Sequence, residues 1–76
     1  MINSYIKTFL VYGFRKNQGC KISFPVTVEL NGNNGEDQGR IIKAIRKEGK
    51  QLNKEHKYYC SEKMVIFKTD GIIIKA

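Results

Sequence analysis

The chain has one histidine, His56, and two cysteines, Cys20 and Cys60, and that scarcity excludes several kinds of protein at once. A disulfide-stapled fold of this size normally uses four or more cysteines, so Cys20 and Cys60 read as two thiols in a reducing, cytoplasmic setting. His56 and Cys60 have no further cysteine or histidine at ligand spacing, so no metal site and no cofactor are expected. The same two residues are the only material for a nucleophile and its base, and no third, orienting group can be assigned to them. The sequence holds no phosphate-cradling motif. Gly32, Gly35 and Gly39 are not followed by the Lys-Ser/Thr pair, and no dinucleotide fingerprint follows a strand pattern.

Long apolar runs are missing too. The most apolar early stretch, Tyr5 to Phe14, is interrupted by Lys7 and has neither the positive start nor the cleavage site of a secretion signal. Nothing approaches the roughly 18–20 apolar residues of a membrane span. Acidic side chains are few: seven Asp and Glu stand against fourteen Lys and Arg, a net charge of +7. The imbalance is concentrated, with ten of the fourteen cations lying between residues 39 and 76. Such an excess points to a polyanionic partner, nucleic acid or an acidic protein surface. The competing explanation is a basic surface that serves only solubility.

What is present suits one small domain covering residues 1–76. At 76 residues and 41% hydrophobic content the chain is too apolar for disorder, yet its core must be thin, and a homodimer would supplement it. From Ile22 to Leu30 apolar and polar residues alternate, as in a strand with one buried and one solvated face. Ile22, Phe24, Val26, Val28 and Leu30 share the buried side, and Pro25 assigns the strand to a sheet edge or a bulge. The run from Tyr5 to Lys16 is its hairpin partner across Asn17-Gln18-Gly19, read as a three-residue turn. That register puts Ile6, Leu10, Tyr12 and Phe14 on the core side and Tyr5, Lys7, Phe9, Val11, Gly13 and Arg15 on the other.

The polar segment Asn31–Gln38 reads as a loop, with Asp37 capping a helix from about Gly39 to Leu52 or slightly beyond. Ile41, Ile42, Ile45 and Leu52 form the apolar stripe of that helix. Gly39 and Gly49 weaken it unless they lie at an end or permit close packing on the sheet. After it, Tyr58-Tyr59-Cys60 and Met64-Val65-Ile66-Phe67 are short β-forming runs. Asp70-Gly71 is a two-residue hairpin turn leading into Ile72-Ile73-Ile74. The expected class is α+β: a ββαββ order giving an antiparallel sheet of four to five strands, with one helix packed on one face. Ile22, Phe24, Val26, Val28, Ile41, Ile45, Leu52 and Phe67 are the expected core.

Two surfaces are candidates for binding. Arg40, Lys43, Lys47, Lys50 and Lys54 recur at spacings of three and four, opposite the isoleucine stripe, with Arg46 on a flank. Surface helices usually mix charge signs, whereas only Glu48 is acidic between Arg40 and Lys54. The second surface is the outer hairpin face, where Tyr5 and Phe9 beside Lys7 and Arg15 would offer stacking and backbone contacts to a single strand. The leading reading is a non-catalytic nucleic-acid-binding accessory protein whose helix cations contact phosphates. The alternative is a compact inhibitor of the kind phages and mobile elements encode, anti-CRISPR proteins among them, docking on a host nucleic-acid-handling protein. Third comes a small ribonuclease toxin with His56 as its acid or base, assisted by Lys54, Lys57 or Arg46.

Overall fold

The computed structural model describes residues 4–15, 21–55 and 63–75. Strand β1 (Tyr5–Arg15) pairs antiparallel with β2 (Lys21–Leu30), helix α1 (Asn34–Glu55) follows, and β3 (Met64–Thr69) and β4 (Ile72–Lys75) close the order. The sheet runs β2-β1-β3-β4 and all its pairings are antiparallel, so the class is α+β, and the described residues form one helix against a four-stranded sheet. The helix carries the chain from the edge strand β2 over β1 to β3. The Asn17-Gln18-Gly19 turn, the Tyr58-Tyr59-Cys60 run, His56 and Cys20 fall outside the described residues.

The alternation in β2 determines its orientation as expected: Phe24, Val26, Val28 and Leu30 are buried and Ile22 packs against them. Pro25 sits in the edge strand, the place in a sheet where a residue without an N–H is tolerated. Asp70 and Gly71 both have positive φ, 41° and 78°, the backbone of a tight Asp-Gly hairpin turn.

The first strand is turned over relative to the sequence-based expectation. Val11 lies opposite Phe24, Phe9 opposite Val26 and Gly13 opposite Ile22. Directly opposed residues share a face, so Phe9, Val11, Gly13 and Arg15 face the helix, and Ile6, Thr8, Leu10, Tyr12 and Phe14 face away. Both sides of β1 carry comparable apolar content, so its pattern did not discriminate between them. A one-residue difference in register exchanges the two.

Helix α1 begins at Asn34, five residues before Gly39, because Asn33 rather than Asp37 is its cap. The Asn33 carbonyl accepts the Asp37 N–H at 2.8 Å, and its side-chain oxygen accepts the Glu36 N–H at 3.2 Å. Asp37, inside the first turn and buried, turns its carboxylate back to accept the N–H groups of Asn31 (3.0 Å) and Gly32 (2.9 Å). The loop-like composition of Asn31–Gln38 concealed a helical turn made by these reciprocal bonds.

The core lies between α1 and the inner sheet face. Ile41, Ile45 and Gly49 recur every four residues along the buried side of the helix, with Ile42, Ala44 and Leu52 beside them. Phe24 and Phe67 meet edge to face, 6.1 Å between centroids at 86°. Gly13 gives way to Met64: a β-carbon there would collide with the Met64 sulfur. Gly49 does the same for Phe67, since an added β-carbon would stand 2.7 and 2.9 Å from two ring carbons. At the top of the sheet, Asn53 clamps the helix to β3. Its amide accepts the Met64 N–H at 2.9 Å and donates to the Met64 carbonyl at 3.2 Å. β4 ends opposite Ile66, two residues short of Met64.

The two helical glycines therefore respond in opposite ways to alanine. At Gly39 a β-carbon meets nothing within 4 Å, so Gly39→Ala is expected to stabilise the fold by about 0.5–1 kcal/mol. Gly49→Ala gains the same propensity but must displace the Phe67 ring, an overpacking that costs about 1–3 kcal/mol. Its net effect should be a loss. Urea denaturation of the two variants beside the parent chain measures both signs.

Candidate nucleic-acid interface on helix α1

Because Ile41, Ile45 and Gly49 occupy the side of α1 against the sheet, a helix of 3.6 residues per turn must place Lys43, Lys47, Lys50 and Lys54 on the opposite side. All four are exposed. They form a nearly straight row about 16 Å long at the helical rise of ~1.5 Å per residue. Gly39, Ile42, Lys43, Arg46, Lys47 and Lys50 line a shallow hollow along its side. Among the described residues, no acidic side chain pairs with any lysine of the row. Glu48 lies on a separate hollow with Pro25, Val26, Thr27, Ala44 and Lys47. Glu55 takes a hydrogen bond from Gln51 at 3.2 Å, and Glu36 takes one from Asn31 at 3.0 Å.

Arg40, expected in this stripe, and Arg46, expected on its flank, have a different employment. Arg40 donates to the Glu29 carbonyl near the end of β2 at 3.4 Å. Arg46 donates to the Lys75 carbonyl at the end of β4 at 3.3 Å. Each ties the helix to an opposite edge of the sheet, so the lysine row is held on a braced element. Both arginines remain exposed, so their charge still adds to the field of the row.

The expected hairpin surface is corrected by the inversion of β1. Phe9 is 5% exposed and Arg15 7%, both on the covered face. Lys7 lies over the Phe9 ring, its nitrogen 4.9 Å from the centroid, and closes that end of the core. Tyr5 is 51% exposed, on the helix side of the sheet and opposite Leu30 at its far end. These residues do not make one open aromatic and cationic surface.

The open sheet face consists instead of Ile6, Leu10, Tyr12, Phe14, Ile66 and Ile73, with Lys68 over the Phe14 ring at 5.1 Å. Sequence reasoning assigned four of these to the core. The signal that finds them is ladder parity, an odd sum of paired residue numbers between β1 and β2, and it resides in the register alone.

His56 and Cys60 lie outside the described residues. Among the described ones no group of three or more His, Cys, Asp or Glu side chains is placed to hold a metal ion. No described helix is long and apolar enough to cross a membrane. No family model, curated protein or solved structure matches the chain.

Proposed function

We propose that this chain is a nucleic-acid-binding protein that grips the phosphate backbone with the lysine row of α1 and performs no catalysis. The observation that carries the reading is the row itself: Lys43, Lys47, Lys50 and Lys54, exposed, without acidic partners among the described residues, on a helix braced by Arg40 and Arg46. A row of like charges has no stabilising use within the fold, since lysines at i,i+4 repel one another. Against a polyanion the repulsion becomes attraction, and binding releases the counterions condensed on the phosphates. Lysine is a flexible point charge, unlike the planar fork of arginine, so the row favours phosphates over base edges. The expected recognition is accordingly indifferent to sequence. The cytoplasm is where this reading places the protein.

Fluorescence-anisotropy titration of labelled duplexes and single strands of unrelated sequence, at 50 to 200 mM salt, tests it. Four phosphate contacts imply a log–log salt slope near −3.6 and roughly a 100-fold loss of affinity across that range, with little dependence on sequence. Absence of binding at 50 mM salt would sink the reading. In that event, a stoichiometric protein partner captured from nuclease-treated lysate would promote the alternative, an inhibitor docking its lysine row on an acidic protein surface. Degradation of the RNA probe by the pure protein would instead promote the ribonuclease reading.

A further inference from the structure

The sheet has two faces and the described residues cover only one. The shortest dimension of the molecule, 15 Å, is that of a single helix on a single sheet. On the uncovered side Ile6 is 72% exposed, Ile73 65%, Leu10 53% and Tyr12 37%, with Phe14 and Ile66 half-buried among them. Side chains of this kind, contiguous on a flat sheet, form an apolar patch of the sort that soluble monomers rarely leave open. We propose that this face is the interface of a homodimer, in which two copies stack sheet against sheet and complete a four-layer helix–sheet–sheet–helix molecule.

Three observations select a second copy as the occupant. The first is chemistry. Ile6, Leu10, Ile66 and Ile73 are aliphatic and offer nothing for a base to stack on. The Phe14 ring already carries the Lys68 ammonium. Aliphatic side chains on a sheet pack well against another sheet of the same kind, about 10 Å away.

The second is charge. The central row of the face, Ile6, Thr8, Leu10, Tyr12 and Phe14 on β1, is uncharged. Glu29 lies at one end of the edge strand β2, opposite Ile6. Lys75 lies on the other edge strand, β4, opposite Ile66 and level with Phe14. These are diagonal corners of the same face. A two-fold axis across the other diagonal brings each Glu29 toward the partner's Lys75, as an isologous contact requires, while Lys68 on the same face, opposite Tyr12 and Ile73, keeps its ammonium over the Phe14 ring. The lysine rows then point outward on opposite sides, where the repulsion between two copies of charge +7 is weakest.

The third is area. Ten paired positions along β1 and β2, with the shorter β3 and β4 beside them, give a flat face of roughly 500 Å² from strand spacings of about 3.4 and 4.8 Å. Side-chain relief adds to that. Stable interfaces begin near 600 Å² of accessible surface per partner. The face reaches this size when used almost whole, which is why stacking of entire sheets is proposed. The hollow lined by Leu10, Tyr12, Lys68, Thr69 and Ile73 would receive an aliphatic side chain of the partner.

The inference stands independently of the nucleic-acid reading, and sedimentation equilibrium on the full chain tests it. The parent chain is expected at twice 8.8 kDa at micromolar concentration. Leu10→Glu and Ile73→Lys should each sediment at 8.8 kDa while keeping the parent's helical circular dichroism, because both side chains are exposed in the single copy. A parent chain that stays at 8.8 kDa up to several hundred micromolar overturns the proposal, as does a dimer that persists in both variants. If the parent is monomeric and Tyr12→Ala weakens single-stranded nucleic-acid binding, the face is a stacking platform and the dimer is refuted.

Discussion

Reversing Lys43, Lys47 and Lys50 to glutamate is expected to abolish nucleic-acid binding while leaving the fold intact. Only Lys54 of the row then remains, so the log–log salt slope should fall from about −3.6 to about −0.9. At 100 mM salt the affinity should drop at least ~100-fold, since each reversal removes one phosphate contact and adds one repulsion. The fold should survive because all three side chains are exposed and glutamate forms helix about as well as lysine. The substitution also lowers the net charge of +7 by six, which weakens binding to any polyanion without a specific site. Reversal of Lys63 and Lys68, both exposed and outside the row, controls for that general effect. Anisotropy titrations of the two variants, with melting curves alongside, separate the outcomes. If the control loses as much affinity per charge as the row variant, the row is a solvated face with no special part in binding. The same variant serves the protein-docking alternative, which predicts loss of a captured protein instead.

Phe67→Ala should bring the domain close to unfolding. Phe67 is 1% exposed and joins the two layers: it seats on Gly49 of the helix and meets Phe24 of the edge strand at close to a right angle. Removing a buried phenyl ring costs about 3–5 kcal/mol. A chain of this length has roughly 4–11 kcal/mol in total. Gly49 makes the loss worse, because the helix has no side chain at that point with which to fill the void. Urea denaturation followed by circular dichroism should show the midpoint falling by about a quarter or more with little change in slope. An unchanged midpoint would mean that the helix does not rest on Phe67. Phe24→Ala belongs to the same contact and should cost a similar amount, but the two losses should not add, because each removes a ring the other packs on.

These two experiments bear on parts of the molecule that were legible to different degrees. The lysine row and the isoleucine stripe are products of local geometry. Once Arg40 to Lys54 is helical, a period of 3.6 residues separates Ile41 and Ile45 from Lys43 and Lys47 whatever the chain does elsewhere. The inward face of β2 was legible for the same reason, since its alternation is unbroken over nine residues. So were the Asp70-Gly71 turn and the single helix between two hairpin patterns, which together define the α+β class. The helix start was less legible. It depends on Asn33 and Asp37 satisfying particular backbone groups, and the composition of that segment resembles a loop.

The orientation of β1 was decided by tertiary structure alone. Its two faces, Ile6-Leu10-Tyr12-Phe14 and Phe9-Val11-Gly13-Arg15, are equally able to enter a core, so periodicity carries no preference. What discriminates is non-local. Gly13 is the one β1 position from which no side chain projects, and the Met64 sulfur fills that space from across the ladder. Val11 stands beneath the helix opposite Phe24, and Thr69 donates to the Leu10 carbonyl at 2.9 Å from 59 residues away. The same holds for Arg40 and Arg46, counted among the free cations by sequence but drawn to the Glu29 and Lys75 carbonyls, which helix packing brings within reach. Local periodicity determines which residues share a face of one element. Which of two comparable faces is buried depends on what the other elements bring to it, and that is settled only when the ladder closes and the helix docks.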